Sequence, residues 1–182
     1  MDQGSIAQSG PWLAIGHEIA ETLARVRPSA FDSFVDAFRD KRRRWFFSGQ
    51  GRSGLVAEMA AMRFMHIGRA AHFVGDATSP SIGAEDGLCV ISGSGKTSIS
   101  LHFGRIAKGE GAKVALITRE RGSELAKLSD CVFYMPIETT RQFGGSLFEQ
   151  TSLIILDAMV LELMQAIPDA HRLMLGRHTN LQ

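Results

Sequence analysis

Apolar residues recur along this chain in two rhythms. In residues 1–40 they fall at helical spacing: Trp12, Ile15, Ile19 and Leu23 make one stripe, and Phe31, Phe34, Val35 and Phe38 make a second after Pro28. Two N-terminal helices are therefore predicted ahead of any strand. The rhythm then shortens into apolar runs: RWFF (44–47), AAHFVG (70–75), LCVIS (88–92), KVALIT (113–118) and CVFYM (131–135). Most are separated by helix-period segments such as LVAEMAAMRFMHIG and SISLHFGRIAKGEG. Buried strands alternating with crossover helices predict an α/β fold, a doubly wound five-stranded parallel sheet flanked by helices. A last segment, SLFEQTSLIILDAMVLELMQAI (146–167), is apolar nearly all round, which predicts burial against the sheet with room for contact to another subunit. Beyond it, residues 168–182 read as a polar tail.

Composition narrows the class. At 182 residues, with no linker or low-complexity tract, the chain is expected to be a single domain with an ample core. A formal net charge of +1 supplies no field to gather nucleic acid. The one basic cluster, KRRR at 41–44, reads as a solvated helix end before a strand. Cys89 and Cys131 lie inside apolar runs and read as buried free thiols. The start, MDQGSIAQSG, lacks the pattern of a secretory signal and no apolar stretch is long enough to span a bilayer, so a cytoplasmic location is expected.

Two strand-to-helix turns echo each other: FFSGQGRSG (46–54) and VISGSGKTS (90–98). The second ends like a nucleotide-hydrolase phosphate loop but has Val90 where the first glycine of that motif belongs. What remains is a helix amino end with the hydroxyls of Ser92, Ser94 and Thr97, the glycines Gly93 and Gly95, and Lys96. Free N–H groups, the helix dipole and directed hydroxyls suit a dianionic monophosphate without a metal. The first turn, Gly49-Gln50-Gly51-Arg52-Ser53-Gly54, fits G-x-G-x-x-G, and Asp76 lies 22 residues beyond Gly54, so dinucleotide binding is a rival reading. Arg52 and Ser53 are better suited to a polyhydroxylated anion. In open α/β sheets two such turns side by side beyond the strand ends would make one site.

Glu149 carries two readings that spacing does not separate. Ser146-Leu147-Phe148-Glu149 fits a capping box, the better reading from spacing alone, in which the glutamate bonds the backbone of its own cap. A carboxylate at a helix entrance beside Leu147 and Phe148 also suits a partly desolvated general base. The six histidines show no spacing that would make a metal site. His178 is the one to carry forward, because a tail can cross to a neighbouring subunit; His66 is a weaker candidate.

With GQGRSG (49–54), AMRFMHIGRAAHFVGDATSP (61–80), ISGSGKT (91–97), GGSLFEQ (144–150) and RHTNLQ (177–182) in view, the chain resembles the sugar isomerase (SIS) domain family, and within it the 6-phospho-3-hexuloisomerase subgroup. The resemblance implies a flavodoxin-like sheet and a homo-oligomer, dimer or tetramer, with sites near subunit boundaries. It implies a sugar-phosphate substrate and neither metal nor organic cofactor. The implied reaction converts a hex-3-ulose 6-phosphate to fructose 6-phosphate through a cis-enediolate, in the ribulose monophosphate route of formaldehyde fixation. By motif position, Ser92, Gly93, Ser94, Gly95, Lys96 and Thr97 match the phosphate loop. Ser48, Gly49, Gly51, Arg52 and Ser53 match the sugar-facing first turn, Glu149 the base, and His178 an acid or base for ring opening. Two positions depart from the pattern: Gln142-Phe143-Gly144 where Gln-Pro commonly precedes the glycine, and Gln182 where a glutamate is usual. The rival readings are a non-catalytic phosphosugar sensor of the same fold and the dinucleotide enzyme. A sedoheptulose 7-phosphate isomerase is less well matched, since its GNGGSA-like first turn is absent.

Overall fold

The computed structural model describes residues 10–181. Residues 1–9, on which the reading of the amino end rests, and Gln182, the second departure, lie outside the described residues. Helices α1 (Pro11–Ala24) and α2 (Pro28–Asp36) come first, each with proline in its first turn, where the ring's fixed φ suits a helix start. The order then runs β1 (Trp45–Gly49), α3 (Arg52–His66), β2 (Ala71–Phe73), β3 (Gly87–Ile91), α4 (Ser98–Gly109), β4 (Lys113–Thr118), α5 (Glu124–Leu128), β5 (Cys131–Tyr134), α6 (Ser146–Met164) and α7 (Ala170–Arg177). All five expected strands are present, every pair is parallel, and the sheet order is β2-β1-β3-β4-β5.

Strand periodicity of two sorts the core into layers. Trp45, Phe47, Cys89, Ile91, Ala115, Ile117 and Phe133 join Phe34, Phe38, Phe64 and Leu156 in a cluster under α2, α3 and α6. Phe46, Leu88, Val90, Val114 and Leu116 meet Ala107 and Leu125 of α4 and α5 on the opposite face. Both faces are thus covered, which is why the strands read as continuous apolar runs. The chain reverses its direction of travel across the sheet between β1 and β3, so the turns that follow these two strands diverge there and leave a crevice.

Several expectations change on folding. The α1 stripe does not bury Trp12, which is 72% exposed, although Leu23 at its far end packs on the core. The basic cluster lies beyond the end of α2 and only half of it is solvated: Lys41 and Arg42 are exposed, whereas Arg43 donates to the Glu85 and Asp86 carbonyls, and Arg44 donates to the Asp86 carboxylate at 2.6 and 3.0 Å. The two arginines fasten the segment ahead of β3. The tail is helical over α7, held by Arg177, which donates to the His66 carbonyl at 3.4 Å, and by Met174, which packs on the core. Cys89 and Cys131 are free, the first buried and the second half-buried. Each pairs with Ala115 from opposite sides, so two strand spacings of about 4.8 Å separate them, beyond disulfide reach. Burial pushes the thiol of Cys89 up. Among the described residues no helix is long and apolar enough to cross a membrane.

Candidate active site

The crevice between β1 and β3 gathers the amino ends of three helices. Of the helices that leave the carboxyl ends of strands, α5 is capped by its own Ser123, whose Oγ accepts from Ala126 N–H at 3.1 Å. The amino ends of α3, α4 and α6 have no side-chain cap, and apart from the Gly54 N–H, which donates to the Gly51 carbonyl, and the Ser146 N–H, which donates to the Phe143 carbonyl, their first N–H groups stay available to an anion.

The first turn is built by close backbone approach. A Cβ on Gly49 would lie 2.4 Å from the Ser53 carbonyl oxygen, so only glycine lets β1 fold back so tightly onto α3. That brings Arg52 and Ser53 to the head of α3 directly beyond the strand. Ser48, the last side chain of β1 before this approach, is buried, and its Oγ has no partner among the described residues.

The second turn is shaped by its own hydroxyls. Ser92 Oγ accepts from Gly95 N–H and Ser94 Oγ accepts from Lys96 N–H, both at 3.2 Å. Gly95 stands at φ +59° with the Ser123 hydroxyl where a side chain would go, 2.2 Å from an added Cβ. Thr118, at the end of β4, donates its hydroxyl to the Gly93 carbonyl at 3.2 Å, and Arg119 N–H donates to the same oxygen. Ser92 is buried while Ser94 and Lys96 are exposed, so the outer hydroxyl and the ammonium of the loop are open to solvent.

Glu149 closes the site from α6. The helix begins at Ser146 with Gly145 as its cap, which places the glutamate fourth rather than third in the helix. The capping-box reading fails for that reason: Ser146 Oγ donates back to the Phe143 carbonyl at 2.9 Å, and the Glu149 carboxylate accepts from Arg52 Nε across the crevice. The carboxylate side chain is 13% exposed and that of Arg52 is 62% exposed, so the acid is sheltered and the guanidinium faces outward. Phe148, next to it, lies over Gly93. A carboxylate at the head of α3 also argues against the dinucleotide reading, since a pyrophosphate seated there would meet its negative charge.

His178 is not brought to this group within the chain. Its ring stacks on His66, centroids 5.6 Å apart, at the far end of α3 from Arg52. The fourteen residue steps between Arg52 and His66, at about 1.5 Å each, put the two ends of α3 roughly 21 Å apart. Burial first, then the charge of Arg63 and the nearby His178, hold His66 below the usual imidazole value. Among the described residues no group of three or more His, Cys, Asp or Glu is arranged to hold a metal ion. Sequence reading missed Thr118 and Ser123. The rule that sites form beyond strand ends pointed to the end of β4 but not to which of its residues would serve.

Known proteins match both the sequence and this geometry. The model of the family described as "SIS domain" matches residues 37–164. A Mycobacterium gastri protein named 3-hexulose-6-phosphate isomerase is 38% identical, over 91% of this chain and 86% of that one. A Bacillus subtilis protein of the same name is 37% identical, over 75% and 79%. A Methanococcus jannaschii hypothetical protein, whose crystal structure was reported to infer a molecular function of 3-hexulose-6-phosphate isomerase, superposes with a TM-score of 0.82 at 28% identity, covering 93% of this chain and 97% of that one. Sequence and topology agree, and this chain belongs to the SIS domain family.

Proposed function

We propose that this protein is a 3-hexulose-6-phosphate isomerase, interconverting D-arabino-hex-3-ulose 6-phosphate and fructose 6-phosphate. The observation that carries the reading is the sheltered Glu149 carboxylate paired with Arg52 opposite a hydroxyl-rich helix amino end, in a chain whose relatives bear that name.

The reaction moves a carbonyl from carbon 3 to carbon 2. A base takes the proton on carbon 2, a cis-enediolate forms, and a proton returns to carbon 3 while the hydroxyl proton passes between the two oxygens. Glu149, on one face of the enediolate, serves both carbon-proton transfers. Arg52 and Ser53 face the oxygens on which charge develops, and the guanidinium moves from the carboxylate toward them as substrate binds. The Ser92–Thr97 loop and the α4 amides grip the phosphate, remote from the reacting carbons, and orient the open chain. In the fructose 6-phosphate direction the ring must open first, the step assigned to His178, which as placed requires that residue to come from another copy. A homo-oligomer fits Leu55, Met59 and Met62, which leave one apolar face of α3 exposed. One domain over 1–182, a cytoplasmic location and function without metal or organic cofactor belong to the same proposal.

A coupled assay tests it, with a hexulose-phosphate synthase supplying the 3-keto sugar and fructose 6-phosphate read downstream. Turnover that disappears in Glu149→Gln while fructose 6-phosphate still binds is expected. Binding without turnover in the unaltered protein would make it a phosphosugar sensor instead.

A further inference from the structure

We propose that Glu18, in α1, is a positioning residue for the site: its carboxylate clasps residues 140–142 and thereby fixes where α6 begins and where Glu149 points. The catalytic part of this inference rests on the isomerase reading above.

The connection from β5 to α6 runs over residues 135–145 without helix or strand. Its start is anchored by Met135 in the core and Ile137 against it, but near its end Phe143 is 95% exposed and Gly144 has φ +61°, so the last part, residues 138–145, is not packed into place by an apolar side chain. Glu18 holds it instead. Glu18 Oε1 accepts from Arg141 N–H at 2.8 Å, and Oε2 accepts from Thr140 Oγ1 at 2.9 Å and from Gln142 Nε2 at 3.1 Å. Thr140 Oγ1 in turn accepts from Gln142 N–H at 3.0 Å, which ties the three residues to one another. Among the described residues, Glu18 supplies every hydrogen bond linking 140–142 to another element. Three donors on one ionised carboxylate form a charge-assisted cluster, stronger than the same bonds to a neutral acceptor. Burial alone would raise the pKa of Glu18, but the bonds from Arg141, Gln142 and Thr140 outweigh it and hold the carboxyl below its usual value.

Three residues after Gln142 the chain reaches Gly145, the cap of α6, and four residues later Glu149. A carboxylate base that must meet a carbon-bound proton depends on placement to a fraction of an ångström, and a displacement of about 1 Å from a remote change can cost on the order of a hundredfold in rate. Helix α1 also packs against α6, so the same helix supports the segment and the element it feeds. Since α1 precedes residue 37, where the family model's match begins, this support comes from outside that matched region.

The test compares Glu18→Ala and Glu18→Gln with the unaltered protein, the second keeping shape while turning one acceptor into a donor that faces donors. Expected are a kcat lower by roughly tenfold to a hundredfold, a KM within about twofold because the Ser92–Thr97 loop is untouched, and faster amide exchange at Arg141 and Gln142 with residues 92–97 unchanged. In a Glu149→Gln background Glu18→Ala should add no further loss of rate. Unchanged exchange at 141 and 142, or faster exchange with kcat unaffected, would overturn the proposal. So would a loss of rate that multiplies with that of Glu149→Gln. The Arg52 Nε–H resonance, bonded to Glu149, gives a readout free of activity: it shifts in Glu18→Ala if the pair is displaced, and its constancy counts against the clasp. A chain with no isomerase activity would refute the assigned reaction, while the resonance and the exchange still decide the role of Glu18.

Discussion

The turn after β1 and the turn after β3 share the letters Ser-Gly-x-Gly, yet they arrive at opposite characters. In the first, glycine serves backbone proximity, since Gly49 lies against the Ser53 carbonyl, and the turn ends in a charged pair. In the second, the later glycine takes a positive φ as it does in the first, +59° at Gly95 and +56° at Gly51, but here hydroxyls fold inward onto amides with no carboxylate among their hydrogen-bond partners. On the proposed reading, the same pattern after neighbouring parallel strands faces the reacting carbons in one turn and the phosphate in the other. What decides between them is the partner each turn meets: α6 brings Glu149 to the first, while β4 and α5 bring Thr118 and Ser123 to the second.

Breaking the first turn should act on rate and breaking the second on affinity. The largest effect is expected from Glu149→Gln, a fall in kcat on the order of a thousandfold or more with fructose 6-phosphate binding by calorimetry nearly unchanged. Arg52→Ala should come next, about a hundredfold in kcat for the loss of a donor to the developing enediolate, again with a modest change in KM. On the other turn, Gly95→Ala forces a side chain into the left-handed region against Ser123, so a destabilisation of about 1–3 kcal/mol should appear in denaturant unfolding beside a raised KM. The smallest effect is expected from Ser94→Ala, a KM raised roughly tenfold, the worth of one hydrogen bond to a charged group, with kcat held. A Ser94→Ala protein with reduced kcat and ordinary KM would erase the distinction, and an Arg52→Ala protein altered only in KM would invert it.

The sheet was legible because its inner strands β1, β3 and β4 are buried on both faces, so each stands out as an apolar run, and Phe34 and Val35 marked the buried side of the second helix, with Phe38 buried just past its end. The two turns were legible because glycine and hydroxyl residues crowd only where backbone or ligand needs them. Glu149 was found as a residue but not as a role, since capping box and base differ by one position of helix start, and that start was set by Gly145. Trp12 carries an apolar signal that the chain itself does not bury, and α7 shows the reverse, a polar stretch held helical by Arg177 on the His66 carbonyl. Glu18 left no trace at all, because its partners lie more than 120 residues away and nothing local marks a carboxylate destined for a distant loop.

The length of α3 has a consequence for genetics. Because that helix carries Arg52, bonded to Glu149, at one end and His66, stacked on His178, at the other, two inactive alleles, one lacking residue 149 and one lacking residue 178, should rescue each other when co-expressed if both side chains serve the chemistry. Mixed assemblies would contain intact composite centres that neither allele can build by itself, and an absence of rescue would leave the imidazole outside the reaction.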